Sequence, residues 1–305
     1  MPLADLPLSD IMRLAAREQI LVPAFNVAHL PMVEPICRTL AELDTFGLVE
    51  VARPDVEKFG AQSFAAVAAE YRRLADPHTT RLHLDHVPVI DEDGRRVDWQ
   101  PIVGEALSLG YHSVMVDGSR LPIEENIAAT AEVAAMAHPL NVPVEAELGA
   151  VLGHEAGPLP PYEELFASGR GFTDPDEAQR FVRESHCDWL SVAVGNIHGA
   201  ISGAARDQKK VPARLHIGHL RRLREVTGVP LVLHGGSGIQ PQYLREAVQN
   251  GIAKINIGTE IRQAYERALS ETGEVAQGRQ AVGESIRQLV GDVYHIGGSA
   301  SRLTQ

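Results

Sequence analysis

The sequence predicts a closed (β/α)8 barrel, an α/β fold, and three observations carry that expectation. Eight short apolar, β-branched runs alternate with helical patterns along the chain, which implies parallel pairing through right-handed crossovers. Nearly every run ends in a polar residue able to bind a metal or donate a hydrogen bond, as expected at the carboxyl face of such barrels. The 305 residues hold no linker or low-complexity tract, so residues 1–305 are expected to form one TIM-type domain. A doubly wound open sheet is the alternative, but no G-x-G-x-x-G follows the first run.

The elements follow in order. An extra N-terminal helix, Leu8–Arg17, starts at an Asp/Ser-rich segment. Strands are expected at Val22–Val27, Gly47–Arg53, Arg81–His86, Ser113–Asp117, Val142–Leu148, Trp189–Val194, Leu231–His234 and Ala253–Ile257. Apolar residues at helical spacing predict helices over Leu30–Leu43, Ser63–Leu74, Ile102–Leu109, Ile123–Ala137, Pro175–Glu184, Ile217–Val226, Pro241–Gln249 and Glu260–Leu269. An additional C-terminal helix is expected over Val282–Val293. The longest irregular stretch, Gly149–Thr173, is rich in Gly and Pro and follows a strand, so it is expected to overhang the barrel mouth.

Bulk composition narrows the function. Hydrophobic content of 44% and charged content of 22% suit a soluble globular protein. The formal charge of −12 argues against a nucleic-acid partner. No run of about 18 apolar residues appears, so no membrane span is expected. Cys37 and Cys187 are expected to be buried thiols of a cytoplasmic protein, and no signal peptide is apparent.

The strand ends suggest chemistry. They read Asn26, Arg53, Asp85 with His86, Asp117, Glu147, His198, His234 and Asn256. If their strands share one sheet, His86, His198 and His234 can converge on a metal that keeps an open position, which is a catalytic arrangement. His83 lies earlier in its strand and is placed in the packed barrel; His112, His138, His216 and His219 are read as surface or packing residues. Asp117 in Asp117-Gly118-Ser119 also suits a plain turn. Gly235-Gly236-Ser237-Gly238 and Asn256-Ile257-Gly258-Thr259 close the last two strands, where glycine backbones and a helix N-terminus suit a phosphate.

These segments, with Ala24-Phe25-Asn26, Leu82–His86, Leu121–Ile127, Val144–Gly149, Ala193–Gly199 and Lys254–Glu260, resemble the class II, metal-dependent ketose-bisphosphate aldolases, including fructose-bisphosphate aldolases. The resemblance runs almost end to end. It implies that His86, His198 and His234 bind a catalytic Zn2+, replaceable by Co2+ or Mn2+. Asp117 and Glu147 match positions for an alternative or second cation. It further implies that Asp85 moves the proton at the aldehyde oxygen and that Glu155, eight residues after Glu147, moves the proton at carbon. Gly199, Gly235, Ser237, Asn256, Gly258 and Thr259 match positions around dihydroxyacetone phosphate, and Asn26 joins them as a substrate contact. The implied reaction is reversible cleavage of a ketose phosphate through a zinc-stabilised enediolate, in a homodimer or homotetramer.

Three departures mark the anion end of the pocket. Ser202 stands where the family carries a lysine after His198-Gly199, with Lys209 and Lys210 further on. Strand two ends in Arg53-Pro54-Asp55 where a serine-containing segment is usual, and Leu152-Gly153 replaces a glycine pair. Arg53 is expected either to supply the missing cation or to pair with Asp55 or Glu57. A non-standard sugar phosphate or a carboxylated or unphosphorylated ketose is therefore a second expectation. A metal-dependent epimerase or hydrolase, or a non-catalytic sugar-phosphate sensor, are the remaining alternatives.

Overall fold

The computed structural model describes residues 2–149, 162–196, 213–236 and 239–304. Eight parallel strands close into a barrel in sequence order, β1 to β8. They are β1 Val22–Asn26, β2 Gly47–Ala52, β3 Thr80–Pro88, β4 Ser113–Asp117, β5 Val144–Leu148, β6 Trp189–Val192, β7 Leu231–Leu233 and β8 Ile252–Ile257. The expected barrel is therefore what the chain forms. Several strands stop earlier than the apolar runs suggest: His234 lies just past β7, and Arg53 opens a helix instead of ending β2. Pro54 explains the latter, since proline is tolerated in a first helical turn.

The helices are α1 Leu8–Arg17, α2 Val33–Glu42, α3 Arg53–Lys58, α4 Phe64–Leu74, α5 Trp99–Ser108, α6 Ile123–Ala137, α7 Tyr162–Ser168, α8 Pro175–Ser185, α9 Ile217–Thr227, α10 Pro241–Gln249, α11 Thr259–Thr272, α12 Val275–Gln288 and α13 Ser299–Arg302. The stretch expected to be irregular thus contains α7, a correction whose signal was Tyr162-Glu163-Glu164-Leu165-Phe166. None of the described helices is long and apolar enough to cross a membrane. Cys37 and Cys187 are free and buried, and burial pushes both thiols up to about 12.

Strand alternation sorts the core into two parts. One set of strand residues, including Phe25, Val49, Leu84, Val114, Ala146, Leu190, Leu233 and Ile255, packs outward against the helices. The opposite set near the strand starts, including Val22, Ala24, Leu48, Trp189 and Val232, meets Leu8, Ile11, Met12 and Ala15 of α1. Helix α1 therefore plugs the amino-terminal end of the barrel with apolar side chains. Farther along the strands the inward positions turn polar: Glu50, His83, Glu145 and Lys254 have no exposure.

The register shifts at two strand pairs, between Leu231 and Val232 of β7 against β8 and, at the site, in β3 against β4. Between Leu84 and Val87, β3 advances three residues while its partner β4 advances two, from Val114 to Val116. This bulge sits at Asp85-His86, and His86 has a left-handed φ of 38°. Adjacent residues in a regular strand face opposite ways. The extra residue lets Asp85 and His86 serve the same site, and strain of this kind persists only where surrounding structure holds it.

Asp55, in α3, gives a measurable pH signature. Its Oδ2 accepts the Ala52 backbone N–H at 2.8 Å, yet burial lifts the carboxyl to about 7. An unfolded chain sheds this proton near pH 4. Between about pH 4 and 7 the folded form thus holds the extra proton, and this stabilising contribution is lost as pH rises. Thermal melts should show the native protein losing stability relative to Asp55→Asn across that window; parallel curves would refute the assignment.

Candidate metal and proton-transfer site

The carboxyl ends of the strands bring Asn26, Asp85, His86, Asp117, Glu147, His234 and Asn256 to one end of the barrel. Asp85 lies at the centre, 2% exposed. Asn26 Nδ2 donates to its Oδ2 at 2.9 Å, and Asn256 Nδ2 donates to its Oδ1 at 2.9 Å. Both asparagines, expected from resemblance to meet substrate, are thus bonded to this aspartate. Burial raises the Asp85 carboxyl, but the positive charge of His86, Lys254 and His234 outweighs it and holds the group below the usual carboxylate range.

The rings of His86 and His234 lie beside Asp85, with centroids 4.4 Å apart. His86 Nδ1 is 3.7 Å from Asp117 Oδ2, and His234 Nδ1 is 2.9 Å from Glu147 Oε2. On the other side of its ring, His234 Nε2 is 2.8 Å from Glu145 Oε1. Burial disfavours charge on both imidazoles, but the facing carboxylates win and raise His86 to about 9 and His234 to about 10. Asp117 is held down to about 2 against its burial by its bonds to His86 and the Ser119 amide. Its Oδ1 accepts the Ser119 N–H at 2.9 Å, so it turns the chain as well as facing the site.

Among the described residues three donor sets overlap, two of them at the strand ends. Ligand atoms of Asp85, His86 and His234 lie within 4.8 Å of one another, and so do those of His86, Asp117 and Glu147. Imidazole nitrogens with carboxylate oxygens are the donors that Zn2+, Co2+ and Mn2+ accept. Each set thus offers donors that suit a divalent cation. His198, Glu155, Gly199 and Ser237 lie outside the described residues.

Supporting contacts fix the donors. Asn126 Nδ2 donates to the Glu147 carbonyl at 3.0 Å, and Asn196 Nδ2 donates to the His234 carbonyl at 3.0 Å. Trp189 Nε1 donates to Glu145 Oε2 at 2.6 Å. His83 is fully buried, with Nδ1 2.8 Å from Ser113 Oγ, in the packed barrel as expected. The sequence reading missed Glu50, Glu145, Asn196 and Lys254. All but Asn196 were legible as charges at alternate positions inside apolar strands, two residues from a strand-end polar group in the case of Glu145 and Lys254.

The last two strand ends approach closely. Gly235 adopts φ 67°. A Cβ on Gly236 would lie 2.5 Å from Ile255 Cγ1 and 2.9 Å from the Asn256 carbonyl oxygen, and one on Gly258 would lie 3.0 Å from Asn26 Oδ1. Gly236→Ala should therefore cost about 1–3 kcal/mol by overpacking, read as a lower denaturation midpoint; an unchanged midpoint would contradict the close approach. Thr259 is the first residue of α11. Arg53 Nε pairs with Glu57 Oε1 at 2.6 Å, and its Nη1 lies 3.7 Å from Asp91 Oδ2. Of the two roles expected for Arg53, the pairing with Glu57 is present.

The model of the family described as fructose-bisphosphate aldolase class-II matches residues 7–301. The 6-phospho-5-dehydro-2-deoxy-D-gluconate aldolase of Halalkalibacterium halodurans is 42% identical over 188 residues, 62% of this chain and only 56% of that relative's length. The fructose-bisphosphate aldolase of Streptococcus pyogenes is 34% identical over 267 residues, covering 84% of this chain and 80% of the relative. The crystal structure of the YdjI aldolase from Escherichia coli superposes with a TM-score of 0.74 at 28% identity, covering 96% of this chain and 98% of that one.

Proposed function

The chain belongs to the class II fructose-bisphosphate aldolase family; from that premise we propose that it is an aldolase and catalyses metal-dependent, reversible aldol cleavage of a phosphorylated ketose. The observation that carries this reading is Asp85, clamped on both oxygens by asparagine amides beside His86 and His234. A cation held by His86 and His234, with His198, would supply fixed positive charge beside the oxygens of the ketone fragment. Asp117 and Glu147 offer the alternative position.

The protein's own groups do the rest. Asp85 gives and takes the proton at the aldehyde oxygen, because general acid–base transfer needs a carboxyl held at a defined place. Glu155 does the same at carbon. Gly199, Gly235, Ser237, Gly258 and Thr259 offer backbone and hydroxyl donors to a phosphate. Asn26 and Asn256 act on Asp85. The substrate is proposed to lie outside fructose 1,6-bisphosphate, since Ser202 replaces the family's lysine. The relative named for a phosphorylated gluconate derivative points to a carboxylated sugar phosphate as the first alternative.

Among the described residues Lys254 is the buried lysine, and its state disfavours a route through a lysine imine. Burial would lower its pKa, but Glu145, Glu50 and Asp85 raise it instead, so it is an ammonium and no nucleophile. The test is a cleavage screen of ketose mono- and bisphosphates and phosphorylated ketoacids with Zn2+, Co2+ and Mn2+. Release of a triose or small ketone that stops on chelation, and no inactivation by borohydride with substrate, is the expected result. Full turnover after metal removal, or products of epimerisation or hydrolysis, would overturn the reading.

A further inference from the structure

Lys254 and Asn256 are two residues apart on β8, so both project into the barrel. Lys254 Nζ donates to Asn256 Oδ1 at 2.6 Å and lies 2.9 Å from Glu145 Oε2 and 3.4 Å from Glu50 Oε2. We propose that Lys254 is a positioning residue for the aldol reaction: it locks the Asn256 side chain so that Nδ2 stays bonded to Asp85. The proposal rests on reading Asp85 as the proton-transfer group.

An ammonium carries three donors and no lone pair, so Asn256 can offer Lys254 only its oxygen. The amide nitrogen is then turned away from Lys254, and it meets Asp85 Oδ1 at 2.9 Å. Asn26 holds the other carboxylate oxygen from β1. Glu145 and Glu50, both without exposure, anchor the ammonium, which an apolar interior would otherwise reject. Donor atoms of Glu50, His83 and Asp85 also come within 4.8 Å of one another. Lys254 already brings a positive charge to that level of the barrel, so no further cation is assigned there.

The test combines Lys254→Met with Glu50→Leu, removing the ammonium together with one carboxyl. Glu145 keeps Trp189 at 2.6 Å and His234 at 2.8 Å, and buried ion pairs replaced by apolar residues are often tolerated. Three quantities are compared with the native enzyme: kcat and KM for cleavage, exchange of the ketone product's carbon-bound proton with solvent deuterium, and the Asn256–Asp85 distance in a crystal. Exchange needs no proton at the aldehyde oxygen, so a positioning role separates it from cleavage. Cleavage kcat should fall on the order of 100-fold, with KM and exchange unchanged and the Asn256–Asp85 bond lost. Adding Asn256→Ala should cause no further loss, because the two residues act in series.

Asn256→Asp alone keeps an acceptor for Lys254 and removes the donor to Asp85, so it should show the same selective loss even if the double variant does not fold. Normal cleavage by Asn256→Asp, equal loss of cleavage and exchange, or an intact Asn256–Asp85 bond in the double variant overturns the proposal. Failure of the native protein to cleave any ketose would instead strike the reading of Asp85. The crystallographic distance would still decide whether Lys254 holds Asn256.

Discussion

Asp85→Asn is expected to lower cleavage by roughly 100- to 10,000-fold, the usual contribution of one general acid–base group. The substitution keeps the shape of the side chain but not its role. An amide at this place cannot carry the proton, and one of its ends must face a donor, because Asn26 and Asn256 each present an Nδ2 to Asp85. That mismatch costs about 1–3 kcal/mol in addition. The variant should still bind metal through His86 and His234, so metal content measured alongside kcat separates lost chemistry from a lost site. A variant that retains native kcat with bound metal would remove Asp85 from the mechanism.

His234→Ala should abolish activity and metal binding together. In the metal-free protein it should also lower stability by roughly 3–5 kcal/mol, the cost of leaving a buried charge without its partner. The reason is the geometry of one ring: Glu145 and Glu147 face opposite nitrogens of His234 at 2.8 and 2.9 Å. Removing the imidazole leaves Glu145, which has no exposure, with Lys254, Trp189 and His83 as remaining partners. Denaturant unfolding of metal-free protein and elemental analysis of the loaded protein check the two halves separately. Stoichiometric metal in an active His234→Ala variant would show that the site lies elsewhere.

The barrel was legible because its signal is periodic. Apolar runs and helical patterns alternate, and helices such as Ile123–Ala137 and Pro241–Gln249 begin and end where their apolar spacing places them. The strand-end residues were legible for the same reason. The layer beneath them shows in the sequence only as charges inside apolar runs, with nothing to say what they face. Glu50, Glu145 and Lys254 sit inside runs that otherwise read as apolar, and their meaning depends on which strands lie across the barrel. The bulge at Asp85-His86 left no mark either. A simple alternation would send the two side chains to opposite faces, and only the register between β3 and β4 reveals the extra residue. Pro54 does not by itself distinguish a strand stop from a helix start, so the sequence alone places Arg53 at a strand end where the chain in fact begins α3. The pairing of Arg53 with Glu57 follows from the i, i+4 spacing that this helix creates.

The stopper formed by α1 has a corollary for access. With Leu8, Ile11, Met12 and Ala15 packed on Val22, Leu48 and Trp189, the floor of the barrel admits no traffic. A ligand of the proposed site therefore has no path past α1, and its entry and exit are both expected at the carboxyl ends of the strands.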